Sequence, residues 1–180
     1  MNKIVLDLAV TLDGFIEGPN GEIDWCIMDD DMEFDEFLDS ISAIFYGRVS
    51  YDIWGNYRPD ESASGAEKEM LTKIHSKKKY VFSSQPRNDE NAAFITGDIV
   101  GNVEKIRAAS EKDIWLYGGS NLITTFVNND LIDVYRVAVH PTALGAGKPL
   151  FAGLDGRLNL KLVDTRVFRS GVVQLIYERA

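Results

Sequence analysis

Three residue pairs, Gly47-Arg48, Gly97-Asp98 and Gly118-Gly119, stand where an apolar, β-rich run gives way to a helical pattern. A strand that turns through glycine into a helix presents free backbone N–H groups and the positive end of the helix dipole, and these bind phosphate. In an open α/β sheet the same edge lines the ligand crevice. Arg48 adds a fixed positive charge, and Ser50, Ser83, Ser84 and Ser120 add hydroxyl donors. The chemistry open to such a set is the holding of a phosphate-bearing ligand. A glycine pair before a helix also permits close packing for its own sake, so WLYGGSNLITTF (115–126) admits both readings. No G-x-G-x-x-G follows a strand and there is no P-loop. The phosphate reading therefore rests on the recurrence of the turn.

The other dense stretch is DDDMEFDEFLD (29–39). Acids at the start of a helix complement its dipole and sit in solvent; alternatively, one of these carboxylates faces a pocket. No metal site is expected, because His75, His140 and the lone Cys26 show no ligand spacing. His75 falls near a helix C-terminus, where a cation is favoured, and His140, ahead of Pro141, reads as structural. A G-x-S-x-G nucleophile elbow is missing.

The elements that must position these groups read as follows. Residues 3–11 are a strand apolar on both faces apart from Asp7, and 12–25 form a long loop rich in Gly and Pro. A helix starts near Asp31, with Phe34, Phe37, Leu38 and Ile41 on one side. Strand 42–47 stops at Gly47, and RVSYDIW continues as a helical turn. Ser64 and Glu67 form a capping box, and Asp98 caps a helix bearing Val103 and Ile106. Further strands cover 79–84, 92–98 and 114–118, followed by a helix over 120–128. The remainder is β: 133–141, 158–168 and 172–178, with Arg169-Ser170-Gly171 as a hairpin turn. Strands alternating with helices up to about residue 131 imply an α/β protein with a mostly parallel sheet, closed by an antiparallel hairpin.

At 180 residues, 45% of them hydrophobic and 26% charged, the chain reads as one globular domain, 1–180. No run approaches the ~18 apolar residues of a membrane helix. MNKIVLDLAV lacks the form of a signal peptide, and one cysteine allows no intrachain disulfide. A cytoplasmic protein with no membrane partner is expected. The net charge of −9 argues against nucleic acid as a partner.

AVTLDGFIEGPNGEIDW (9–25), YGRVSYD (46–52), VFSS (81–84), WLYGGSNLITTF (115–126) and HPTALGAGKPLF (140–151) come in an order that spans almost the whole chain. In this the sequence resembles the dihydrofolate reductase-like superfamily, and within it the branch similar to the C-terminal reductase domain of the riboflavin-biosynthesis protein RibD. The resemblance implies a three-layer α/β fold, NADPH as cofactor and a small-molecule substrate. The implied activity is like that of 5-amino-6-(5-phosphoribosylamino)uracil reductase: hydride transfer to a small heterocyclic or ribosylamino compound. A dihydrofolate or pterin reductase is the alternative, and a dinucleotide-binding module without turnover is another. Carried over by motif, Gly47, Arg48, Val49 and Ser50 would meet the phosphate-bearing part of the dinucleotide. Phe82, Ser83 and Ser84 would lie by the adenosine 2′-phosphate, and Gly118, Gly119, Ser120, Asn121 and Leu122 would cradle the pyrophosphate. Ala9 and the segment Asp13 to Ile23, with Gly18 and Gly21, would close over the nicotinamide. The proton donor would follow Trp25, at Asp31 or else Asp30. Family members often dimerise, so a homodimer is expected.

The chain also departs from these relatives. No proline neighbours Trp25, and the carboxylates of 29–39 would repel a phosphorylated substrate unless Arg58 or Lys148 offset them. HPTALGAGKPLF reads equally as a mobile pocket rim carrying Lys148 and as an exposed strand connection.

Overall fold

The computed structural model describes residues 2–180, apart from the side chain of Asp30. The chain forms two compact units, one comprising the residues up to Lys3 with Glu33–Gly119, the other Ile4–Met32 with Ser120–Ala180.

The first unit holds four parallel strands in the order β5-β4-β3-β6: β3 (Ile41–Gly47), β4 (Lys78–Phe82), β5 (Ala93–Ile95) and β6 (Asp113–Gly118). α1 (Phe34–Ser40) leads into β3, and the connections that follow carry α2 (Arg48–Ser50), α3 (Gly65–His75) and α4 (Ile99–Ala109). Strand β3 reads IFYG after Ala43 and is almost fully buried, as befits a strand covered on both faces. Ile44, Phe45, Val81, Val103, Ile114 and Leu116 are fully enclosed. The caps follow local chemistry. Ser64 accepts from Glu67 N–H at 3.1 Å and Asp98 from Gly101 N–H at 3.0 Å, each satisfying a donor the helix start leaves open.

Two expectations need correction here. The helix expected from Asp31 is broken: Asp30–Met32 is a 3-10 turn, Glu33 takes the left-handed conformation (φ 53), and α1 begins only at Phe34. The acids of 29–39 are thus spread over the 3-10 turn, its flanking residues and α1, and only Asp35 and Glu36 lie in the first turn of α1. His75 does end α3 but is not placed as a cation. Its Nδ1 lies 3.0 Å from the ammonium of Lys79, which can only donate, so Nδ1 accepts and Nε2–H donates to the Tyr57 carbonyl at 2.8 Å.

The second unit holds β1 (Ile4–Thr11), β7 (Val134–His140), β10 (Val173–Arg179) and β9 (Leu160–Val167), in the order β1-β7-β10-β9. β1 and β7 are parallel; β10 runs antiparallel to both β7 and β9. The β9–β10 hairpin turns through Gly171 at φ +88, a conformation open to glycine at no steric cost. α5 (Ser120–Asn128) buries Leu122, Ile123, Phe126 and Val127, one apolar stripe of an amphipathic helix. The four strands of the first unit and β1, β7, β10 and β9 of the second make the α/β architecture, with mostly parallel pairings and a closing antiparallel hairpin.

The segment expected to be loop throughout 12–25 contains β2 (Phe15–Glu17), which pairs antiparallel with β8 (Lys148–Pro149). Gly147 permits this approach: a side chain there would collide with the Glu17 carbonyl oxygen. Lys148 ion-pairs with Glu17. The glycine-rich stretch 140–151 is therefore tied down on this side rather than hanging free.

Candidate functional site

In the first unit the C-terminal ends of four parallel strands stand side by side. Gly47 pairs with Phe82, Phe82 with Ile95, and Tyr46 with Gly118. This register brings Gly47–Ser50, Phe82–Ser84 and Gly118–Gly119 to one edge, together with the Gly97-Asp98 turn that follows β5. Gly118 has φ +112, and the Gly118–Gly119 peptide is cis. A Cβ placed on Gly119 would come within 3.0 Å of Ser50 Oγ. The two turns thus face each other across a gap kept open by the missing side chain, with the Ser50 hydroxyl on its wall. Ser83 donates its backbone N–H to Ile95 O at 3.0 Å, and its hydroxyl accepts from Gln85 N–H at 3.1 Å. Val49 is exposed, so only its backbone suits a polar ligand.

Arg48 is exposed and donates to Asp52 Oδ2 at 2.9 Å. The same carboxylate takes a second arginine, Arg87, on Oδ1 at 2.6 Å. Arg87 also donates to Asp89 at 2.8 Å, and Asp89 accepts from the Tyr51 hydroxyl at 2.8 Å. The sequence reading named neither Arg87 nor Asp52. Asp52 closes the YGRVSYD motif, whereas Arg87 sits in the polar stretch SSQPRNDEN with nothing nearby to mark it.

In the second unit, Ala9 lies on β1 opposite Ala138 of β7, so two methyl groups share one face of the pair. Two residues before Ala9 on that face, Asp7 is buried and meets Arg136, with Nε 2.8 Å from Oδ2. Burial pushes the Asp7 carboxyl up to about 6, against the pull of the Arg136 guanidinium. A carboxylate in an apolar strand, with an arginine in the apolar VYRVAV run, was the visible trace of this pair.

Gly18 and Gly21 belong to a tight turn, in which Gly21 N–H donates to Gly18 O at 3.1 Å and Gly18 N–H to Glu22 O at 2.9 Å; Ile23 follows it and accepts from Cys26 N–H at 3.0 Å. Asp13 anchors the loop that precedes β2. Its carboxylate accepts from Thr11 Oγ1 at 2.6 Å, Gly145 N–H at 2.7 Å and Leu144 N–H at 3.2 Å. The Thr11 hydroxyl, then the Gly145 amide, hold its pKa below the ordinary value. Trp25 is buried, donates Nε1–H to Glu22 O at 3.3 Å, and meets the His140 ring edge-on at 5.3 Å. His140 is enclosed, with its ring nitrogens 3.0 Å from Ala138 O and 3.3 Å from Ile27 O.

Asp31 lies at the β9–β10 turn, where its Oδ2 accepts from Arg169 Nε at 3.2 Å and Arg169 N–H at 3.3 Å. Its Oδ1 is buried and makes no hydrogen bond. The Asp30 side chain lies outside the described residues. Cys26 is a poor nucleophile, since burial and then Asp24 push its thiol up to about 11. Ser120, Asn121 and Leu122 open α5; Asn121 is exposed and Leu122 buried. Among the described residues, no group of three or more His, Cys, Asp or Glu could hold a metal ion, and no helix is long and apolar enough to cross a membrane.

Residues 2–174 match the family described as the RibD C-terminal domain. Bacillus subtilis (strain 168) has a relative, the uncharacterized protein YyaP, that is 56% identical over 97% of this chain and 94% of its own length. Among solved structures, a candidate riboflavin biosynthesis protein from Shewanella sp. PV-4 superposes with a TM-score of 0.80 at 22% identity, covering 99% of both chains. Dihydrofolate reductase from Enterococcus faecalis, solved with NADP(H), superposes with a TM-score of 0.67 at 17% identity over 98% of this chain and 96% of that one. At these identities the two structures establish a common fold, that of the dihydrofolate reductases.

Proposed function

This chain belongs to the RibD C-terminal domain family, and on that footing we propose that it is an NADPH-dependent reductase delivering hydride to a small heterocyclic or ribosylamino substrate. The observation that carries the cofactor is the gap between Ser50 and Gly119, which a Cβ would fill. Free N–H groups at a glycine turn and a neighbouring hydroxyl suit a pyrophosphate, and the adjacent Gly47-Arg48 and Ser83-Ser84 turns suit further phosphate. NADP(H) in the Enterococcus faecalis reductase of the same fold supports the choice of dinucleotide. When bound, the dinucleotide supplies the hydride.

The protein's own part is to bind, orient and provide a proton. Gly47–Ser50, Phe82–Ser84 and Gly118–Leu122 would hold the phosphates, and Ala9 with the turn at Gly18–Ile23 would meet the nicotinamide. Asp13 pins the loop ahead of that turn to Leu144 and Gly145. Asp31 is the proton donor in this reading: Arg169 fixes one carboxyl oxygen and leaves the other unpartnered. Trp25 packs against His140 and supports the segment that leads to Asp31.

Fluorescence titration of the purified protein with NADPH and NADH tests the proposal. NADPH binding at micromolar concentration is the expected result, and no binding of either nucleotide at submillimolar concentration would sink it. Dihydrofolate-dependent oxidation of NADPH would move the substrate to the pterins. Binding without oxidation by any carbonyl, imine or pterin would leave a nucleotide-binding module.

A further inference from the structure

The parallel strands of the first unit end at the Gly47 edge and begin, about 20 Å away, at a second concave surface. A cavity of about 280 Å³ opens there, between the starts of β3 and β4 and the link from α4 to β6. Ile41, Tyr80 and Ala109 give it an apolar wall, and Lys77, Lys78, Lys112 and Glu111 give it charge. Three lysines against one glutamate make the cavity cationic in a chain of net charge −9. The lysines are not equally engaged. Lys112 donates to Asp39 O at 2.7 Å, and Lys73, outside the lining, pairs with Asp35 at 3.4 Å and Asp39 at 3.3 Å. Among the described residues, Lys77 and Lys78 have no carboxylate within ion-pairing distance. Burial lowers the Lys77 pKa; Asp39 resists, and the charges of Lys112 and Lys73 lower it further.

We propose that this cavity is a second ligand site of the protein, for a small phosphomonoester whose phosphate meets Lys77 and Lys78 and whose organic body lies against Tyr80. A phosphomonoester carries about −1.5 to −2 charges and three acceptor oxygens, enough to engage two ammoniums that otherwise repel each other and Lys112. The serines of the lining direct their hydroxyls to carbonyls instead: Ser42 to Lys112 O at 3.3 Å, Ser76 to Lys73 O at 2.7 Å and Ser110 to Ile106 O at 2.8 Å. Recognition therefore falls to ammonium charge, which a lysine delivers as a point and without a fixed fork.

The surroundings fix the size and shape of the ligand. Lys78 and Tyr80 are two residues apart on β4 and so project from the same face. The Tyr80 ring is half-buried and held edge-on against Phe45 at 5.9 Å, which leaves it as a wall. The volume lies below the ~300 Å³ at which sites for drug-sized ligands begin, so the body is small. Helices α3 and α4 both end at this cavity, and lysines also complement the carbonyls of a helix C-terminus. That role predicts stability without binding, and the two are separable. The site lies apart from the candidate cofactor edge and does not depend on the NADPH reading.

The test is calorimetric titration with inorganic phosphate and with phenyl phosphate, at an ionic strength held constant with sodium chloride and with and without excess NADPH. The proteins are the wild type, Lys77→Gln, Lys78→Gln, Lys78→Arg and Tyr80→Leu. Phenyl phosphate should bind more tightly than inorganic phosphate, and NADPH should not displace it. Each lysine-to-glutamine change should weaken it about fivefold or more, and Lys78→Arg should keep most of the affinity. Tyr80→Leu should bring phenyl phosphate down toward inorganic phosphate and leave the latter unchanged. Amide shifts in the phenyl phosphate complex should centre on Ser76–Lys78 and Ser110–Lys112. Thermal melts of each variant separate binding from folding. If the lysines serve only the helix ends, the glutamine variants will melt lower while neither phosphate compound binds the wild type beyond chloride, and the inference fails. Binding that NADPH abolishes and the lysine variants leave unchanged places the anion at the other edge and overturns the inference too. Failure of NADPH to bind would remove the cofactor reading and leave this one standing on its own titration.

Discussion

Asp7 on β1 and Arg136 on β7 face each other across a parallel strand pair, with Arg136 Nε 2.8 Å from Asp7 Oδ2. Asp7 is only 8% exposed, and burial raises its carboxyl to about 6 despite the arginine. The folded protein consequently holds a proton at Asp7 that the unfolded chain has released between about pH 4 and pH 6. The stability due to this group is fully present below pH 4 and falls as pH rises toward 6. Asp7→Asn should flatten that decline in thermal melts taken from pH 4 to pH 8. If the wild-type slope persists in the variant, another group carries it.

His75 and Lys79 supply a dependence of opposite sign. Burial pushes the His75 pKa below its ordinary value; the Tyr57 carbonyl resists, and the charges of Lys79 and Arg58 lower it further. A base whose folded pKa is depressed contributes stability above its unfolded pKa, and loses it as pH falls through the folded value. Once pH falls through that depressed folded value, protonation sets His75 against the Lys79 ammonium at 3.0 Å. His75→Gln should remove the part of the acid-side loss of melting temperature that belongs to this contact. An unchanged acid limb would place the loss elsewhere. Because the Asp7 and His75 effects oppose each other on the acid side of neutrality, the single variants separate them and the wild-type curve alone does not.

Local chemistry made much of this fold legible in the sequence. A serine or aspartate ahead of a helix has one evident partner a turn away, and Ser64 and Asp98 use it. Gly171 marks a hairpin because its φ of +88 suits glycine. What escaped the sequence depends on contacts between distant segments. Phe15–Glu17 has turn residues on both sides and becomes a strand only because Lys148–Pro149 pairs with it. Asp13 reads as a loop aspartate until Leu144 and Gly145 donate to it. In the candidate site the glycine turns were readable because each is local. Arg87 on Asp52, and Arg169 on Asp31, were not, since nothing near an arginine in sequence names its carboxylate.

Gly147 offers a test of the β2–β8 contact. It holds φ +155, and an added Cβ would strike the Glu17 carbonyl oxygen, a backbone atom with little freedom to yield. Gly147→Ala should cost about 1–3 kcal/mol in urea unfolding. Faster amide exchange should be confined to Phe15–Glu17 and its surroundings. A variant as stable as the wild type, with unchanged exchange, would show that the ribbon yields without cost.

Gly119 tests the cradle. Its Cβ would meet Ser50 Oγ at 3.0 Å, and a hydroxyl on a single rotatable bond can swing aside. Gly119→Ala should therefore change the melting temperature little, while its methyl group narrows the space assigned to the pyrophosphate. Binding should weaken about tenfold, the loss expected when one or two charge-assisted hydrogen bonds are disturbed. The pyrophosphate is common to NADPH and NADH, so both affinities should fall together and their ratio should hold. If Gly119→Ala binds both nucleotides as tightly as the wild type, the gap between Ser50 and Gly119 is a packing feature and the pyrophosphate lies elsewhere. If it weakens NADPH alone, the turn faces the 2′-phosphate, and the assignments of Ser83-Ser84 and Gly118-Gly119 must be exchanged.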